Sequence, residues 1–98
     1  MAELHYSEQA LADLERLSDF LLPIDPQAAQ ATAKLVFDAL KILQAHPEIG
    51  RKGPHGQREL VISRGRTGYL ALYRYLPRSD QVLVLALRHQ REAGYQSL

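Results

Sequence analysis

The sequence contains no cysteine, which removes disulfides, thiol chemistry and thiolate metal sites from consideration and fits a reducing compartment. It has no apolar run approaching the roughly 20 residues of a membrane-spanning helix, and its start, MAELHYSEQ, lacks the basic and apolar regions of a secretion signal. A soluble, cytoplasmic protein is expected. The four histidines, His5, His46, His55 and His89, are dispersed, with no HxH, HxxxH or HExxH spacing, so no metal is expected. Ser7, Ser18, Ser63, Ser79 and Ser97 lack the Gly-x-Ser-x-Gly elbow of a hydrolase nucleophile. The glycine-rich GRKGPHG lacks the Gly-Lys-Ser/Thr and strand-to-helix context of a phosphate loop. No cofactor is implied. There is no internal repeat or low-complexity tract, and 98 residues make a single domain, 1–98.

What is present is a sharp division of charge. Residues 1–50 carry three cations and eight anions, a balance of −5, and residues 51–98 carry nine cations and three anions, a balance of +6. Eight of those nine cations are arginine, the side chain suited to bidentate contacts with phosphate or carboxylate. A basic half on a near-neutral chain suggests a surface for an acidic partner. Mutual complementation of the two halves is the plainer alternative.

Periodicity orders the elements. Glu3 to Tyr6 alternates as a short opening strand. Ser7 is a helix N-cap, and Leu11, Leu14, Leu17 and Leu21 recur at three and four, predicting a helix from about Glu8 to Leu22 that Pro23 ends. Asp25-Pro26 restarts the chain as cap and first helical residue. Ala29, Thr32, Val36, Ala39, Leu40 and Leu43, widened by Leu35 and Ile42, predict a second helix to near Ala45, antiparallel to the first. HPEIGRKGPHGQ, residues 46–57, reads as loop. Strands follow around Glu59–Ser63, from Gly68 through YLALYRYL, and over Val82–Leu87, the last two apolar on both faces. The order predicts an α+β domain, an N-terminal strand and antiparallel helical hairpin packed on one face of a small, mainly antiparallel β-sheet.

Chemistry concentrates in the second half. Arg58, Arg64, Arg66, Arg74 and Arg88 lie on or beside strands, with Tyr69, Tyr73 and Tyr75 interleaved. Such a sheet could hold a nucleic-acid backbone and stack bases, or the tyrosines could be core beneath the helices. At the end of the last strand, Arg88, His89 and Arg91 could clamp a phosphate, with His89 as acid or base and Tyr95 stacking or donating a proton. Alternatively His89 caps the strand and Glu92 pairs with Arg88 or Arg91.

Four stretches, SEQALADLERL, LQAHPEIGR, RELVISRGRTGYLALYRY and VLVLALRHQREAGY, in this order and spacing, resemble the RelE/ParE superfamily of bacterial toxins from type II toxin–antitoxin modules. The resemblance spans nearly the whole chain and implies a helical hairpin on a twisted antiparallel sheet. It also implies a cognate antitoxin, acidic and partly disordered until bound, that would lie across the grooves of the helical hairpin and the basic sheet face in a hetero-oligomer. One branch of the superfamily cuts messenger RNA on the ribosome with sheet-borne Lys and Arg and a C-terminal tyrosine. The other, ParE, poisons DNA gyrase by binding it. Tyr95 occupies the place of that tyrosine and Arg91 lies in its basic cluster. Yet Leu70 stands where the ribonucleases carry arginine, Leu60-Val61-Ile62-Ser63 lacks their lysines, and His89 stands at a catalytic arginine. A related subgroup uses a Glu, an Arg and a His, roles that Glu59, Arg64 or Arg66, and His89 could fill, with Tyr95. Arg58-Glu59, Leu70 and Leu87-Arg88-His89-Gln90 are the more ParE-like features. The resemblance therefore favours a gyrase-binding toxin docking through Arg58, Arg64, Arg66, Arg74, Arg88, His89, Arg91 and Tyr95. A messenger ribonuclease comes second, and a non-toxic interaction domain of the same fold third.

Overall fold

The computed structural model describes residues 1–64 and 67–96, with only the backbone of Ser63, Arg64 and Thr67. The strands are β1 (Glu3–Tyr6), β2 (Arg51–Lys52), β3 (Arg58–Arg64), β4 (Thr67–Leu76) and β5 (Gln81–His89), and the helices α1 (Glu8–Asp19), α2 (Pro26–Leu40) and α3 (Ile42–Ala45). They form one five-stranded sheet in the order β1-β5-β4-β3-β2. β1 runs parallel to β5, and the other pairs are antiparallel. The helical hairpin covers one face and leaves the other open, the α+β layering expected from the sequence.

The caps work as their residue types predict. Ser7 Oγ accepts from the Ala10 N–H at 3.0 Å, and Asp25 accepts from the Ala28 N–H at 3.2 Å with Pro26 behind it. Ser7 does more, because its hydroxyl also donates to the Leu85 carbonyl at 2.8 Å. β1 pairs with β5 only as far as Val84. Beyond that point the edge of β5 needs other partners, and α1 supplies them. Asp13 accepts from the Leu87 N–H at 3.0 Å, and Arg16 donates to the Leu87 carbonyl at 3.4 Å.

The core joins Leu14 and Leu17 of α1, Val36 and Leu40 of α2 and Leu43 of α3 to Ile62, Tyr69, Ala71, Tyr73, Val82, Val84 and Leu87 of the sheet. The tyrosines of β4 are thus core: Tyr69 and Tyr73 lie under the helices, and Tyr75 packs against the cluster. They offer no stacking platform on the open face.

Several boundaries differ from expectation, each with a cause. α1 stops at Asp19 and residues 20–24 form turns, since Pro23 restricts Leu22 and donates no N–H. The second helix breaks at Lys41, where the Gln44 N–H reaches back three residues to the Lys41 carbonyl. The stretch expected as loop contains β2, two charged residues without periodicity, paired with β3. Residues Ala10, Asp13, Leu14 and Leu17 make the buried face of α1, whereas Leu11 and Ile42, counted on the apolar stripes, are largely exposed.

Candidate functional site: the open face and the segment after β5

Side chains of directly paired antiparallel residues share a face. Val61, Leu70 and Arg88 therefore form one row of the open face, and Glu59, Leu72 and Ala86 another. Ile62, Tyr69 and His89 form a row on the helix side. β5 carries an irregularity here: Leu72 pairs with Ala86 but Tyr73 with Val84, so Leu85 is an extra residue. This bulge exchanges the faces of everything after it. Val82 and Val84 point into the core before it, Leu87 and His89 point to the helix side after it, and Arg88 emerges on the open face.

A chain of contacts crosses that open face. Arg51 of β2 donates to one oxygen of Glu59 on β3 at 2.6 Å. The Tyr95 hydroxyl donates to the other Glu59 oxygen at 2.6 Å. The Arg88 guanidinium lies 5.2 Å from the centre of the Tyr95 ring, a cation–π contact, while its Nη1 donates to the Glu92 carbonyl at 2.7 Å. One carboxylate, two arginines and a phenol thus occupy one surface, with Val61, Leu70 and Leu72 as its apolar floor.

Burial first, and then the hydrogen bond and charge of Glu59, push the Tyr95 phenol well above its ordinary value of 10.0. A raised folded-state pKa contributes stability that is complete below the unfolded value and is lost as pH rises above it. Glu59→Gln removes the charge, so tyrosinate absorbance assigned to residue 95, by difference from Tyr95→Phe, should appear at lower pH. The difference is needed because Tyr6, Tyr73 and Tyr75 are also pushed upward. An unchanged onset would mean that Glu59 does not hold the phenol.

His89 is elsewhere. Its ring meets Tyr69 edge-on at 5.3 Å, and its Nδ1 accepts from the Arg91 N–H at 3.1 Å. Glu59 and His89 leave the sheet on opposite faces, so the Glu–Arg–His grouping raised from sequence is not gathered at one point. The arginines it requires, Arg64 by its side chain and Arg66 altogether, lie outside the described residues.

The remaining candidates separate. Arg58 is tied to the loop before β2, donating to the carbonyls of Glu48 and Gly50 at 2.9 and 3.0 Å. Arg74 lies on the open side and donates to the His55 carbonyl at 2.8 Å, and Arg91 is exposed. Glu92 does not pair through its carboxylate with Arg88 or Arg91. It binds Arg16 of α1 at 2.7 Å and accepts from the His89 N–H at 2.8 Å. That partner is 76 residues away, and no local spacing signals it. Arg51 was missed because its loop shows no periodicity.

A helical hairpin on one face of a five-stranded mixed sheet, with an arginine-bearing open face, defines a RelE/ParE-type toxin scaffold. The chain matches, over residues 4–94, the family described as the ParE toxin of the type II toxin–antitoxin system parDE. It belongs to that family, and with it to the RelE/ParE superfamily of toxins from type II toxin–antitoxin systems. It is 33% identical over 92 residues to toxin RelE3 of Caulobacter vibrioides, covering 94% of this chain and 98% of that one. Among solved structures it resembles a chain of the chromosomal ParDE system from P. aeruginosa, with a TM-score of 0.74, 22% identity and coverage of 91% and 96%. A chain of the intact E. coli RelBE toxin–antitoxin complex superimposes with a TM-score of 0.63 at 14% identity, over 94% of this chain and all of that one. Among the described residues no helix is long and apolar enough to cross a membrane.

Proposed function

We propose that this toxin arrests growth by binding DNA gyrase, with the open sheet face and the segment after β5 as its docking surface. The observation that carries this reading is the division of the titratable groups between faces. Tyr95 and Glu59 are locked to each other on the open face, while His89 lies on the helix side. Val61, 53% exposed, and the half-buried Leu72 lie on the open face, and Arg51, Arg74 and Arg88 border it. Apolar centre and cationic border are the anatomy of a protein-binding patch. The same cations suit an acidic antitoxin, which would silence the toxin by covering them.

Messenger cleavage is the second reading. Tyr95 set between Glu59 and Arg88 favours it, because a phenol beside a guanidinium could protonate a leaving oxygen. One experiment separates the two. Purified toxin is titrated against gyrase supercoiling and, in parallel, against ribosomes stalled on messenger. The docking reading expects supercoiling to stop and messenger to remain whole, with His89→Ala nearly as potent as the parent. Intact supercoiling together with cut messenger, lowered roughly 10²–10⁴-fold by Tyr95→Phe, would replace it with the ribonuclease.

A further inference from the structure

Tyr95 crosses the sheet. Its ring lies beside Arg88 of β5 and its hydroxyl reaches Glu59 of β3, so the side chain spans β4 on the diagonal between Leu70 and Leu72. Exposure agrees: Leu70 and Ala86 are buried although they point away from the helices, whereas Val61, at the far end of the Leu70 row, is exposed. The backbone that delivers Tyr95 is not packed in this way. Ala93 and Gly94 are exposed, and a Cβ on Gly94 would meet nothing within 4 Å. The path from β5 to Tyr95 therefore starts from its last firm anchor, Glu92.

Glu92 is held from both sides of the sheet. Its N–H donates to the His89 carbonyl at 3.0 Å, and its carbonyl accepts from Arg88 Nη1 at 2.7 Å on the open face. Both carboxylate oxygens are engaged, one by the His89 N–H at 2.8 Å and the other by Arg16 Nη1 of α1 at 2.7 Å. Arg16 is itself fixed. Its Nη2 donates to Asp13 at 3.3 Å and to the Leu87 carbonyl at 3.4 Å, and the buried Asp13 is held in turn by Gln9 and the Leu87 N–H. With side chains only 29% and 27% exposed, the Arg16–Glu92 pair is better shielded than a surface ion pair.

We propose that Arg16, a residue of the helix side, positions the docking segment on the opposite face: by holding the Glu92 carboxylate it sends residues 93–95 across the sheet and keeps Tyr95 between Arg88 and Glu59. The proposal rests on the docking reading of the open face. A tether of three residues keeps Tyr95 at a high effective concentration beside Glu59. Without it the free chain begins at Gln90, whose N–H donates to the Gly68 carbonyl at 2.9 Å. A target would then meet a loose segment and lose affinity to the cost of ordering it. Arg16 thus acts on docking through Glu92.

The test compares the full-length parent with Glu92→Gln and Arg16→Gln. The amide of Glu92→Gln must turn its NH2 toward one of the two donors that the carboxylate satisfies, while the Asp13 network stays whole. This variant therefore carries the test where Arg16→Gln, which also faces Asp13, lowers the thermal midpoint. Amide exchange at His89, Arg91 and Glu92 should be about tenfold faster, the loss expected of one charge-assisted bond. Nuclear Overhauser contacts between the Tyr95 ring and Arg88 should fade while those between Tyr69 and His89 persist. Persistent Tyr95 contacts in Glu92→Gln would overturn the proposal. Against gyrase supercoiling, Glu92→Gln should need about tenfold more protein for equal inhibition. Faded contacts with parental potency would overturn the positioning role and leave the docking reading intact. A parent inert on gyrase would sink that reading instead, and growth arrest on induction then decides. Arrest weakened by Glu92→Gln sustains positioning toward another target, and undiminished arrest, or a parent that arrests no growth, overturns it.

Discussion

Replacing Asp13 by alanine should lower the unfolding free energy by about 3 kcal/mol, within the roughly 2–5 kcal/mol expected when a buried, multiply bonded charge is removed. Asp13 is only 1% exposed, yet it is a carboxylate in the middle of a packed face. One oxygen accepts from the Leu87 N–H at 3.0 Å. The other accepts from Gln9 at 2.8 Å and from Arg16 at 3.3 Å. Alanine leaves the Leu87 N–H buried and unpaired, deprives Arg16 of one anion and opens a small void. For a chain of this size the midpoint should fall by roughly 10–25 °C. Asp13→Asn keeps an oxygen for Leu87 and should cost less. Leu11→Ala is the informative control: it lies on the leucine stripe, but at 49% exposure it should cost under about 1 kcal/mol. Equal losses at positions 11 and 13 would show that this network does not hold α1 to β5.

Gly50→Ala should be comparably severe for a steric reason. A Cβ on Gly50 would stand 2.6 Å from the Tyr73 hydroxyl oxygen, 2.7 Å from Tyr73 Cε1 and 2.9 Å from the Glu59 carbonyl. Tyr73 is fully buried and cannot retreat, and the Glu59 carbonyl belongs to the sheet. The Gly50 N–H also donates to the Tyr73 hydroxyl at 2.8 Å, a bond that any shift would stretch. Overpacking of this kind costs about 1–3 kcal/mol, and the lost buried hydrogen bond adds about 1 kcal/mol or more. Tyr73→Phe alone should cost only the hydrogen bond. The double variant Gly50→Ala/Tyr73→Phe should recover part of the alanine penalty, because the oxygen is gone while Cε1 remains. Chemical denaturation of the four proteins measures this, and strict additivity would place the clash elsewhere. Glu59 sits beside the same loop, so Gly50→Ala should also loosen Tyr95.

Much of the fold is legible locally. Ser7, Asp25 and Pro26 announce helix starts by chemistry that operates within three residues. The strands of the second half announce themselves by period, and the resemblance of four stretches to the toxin superfamily held for the family. What escaped shares one property: it depends on residues distant in sequence. Asp13 looks like an ordinary helical carboxylate until Leu87 arrives, and Glu92 looks like a partner for neighbouring arginines until Arg16 takes it. Arg58 looks available until the loop carbonyls of Glu48 and Gly50 close on it.

The sequence by itself determined the order of elements, the hairpin, the divided charge and the inventory of groups near the C-terminus. Only the tertiary structure decided which of those groups share a surface. β5 is apolar on both faces, so no alternation in its sequence records the register, and the extra residue at Leu85 leaves no local trace. Because side chains alternate with a period of two, that one residue exchanges the faces of all that follow. It sets Arg88 beside Tyr95 and Glu59 and turns His89 toward the helices.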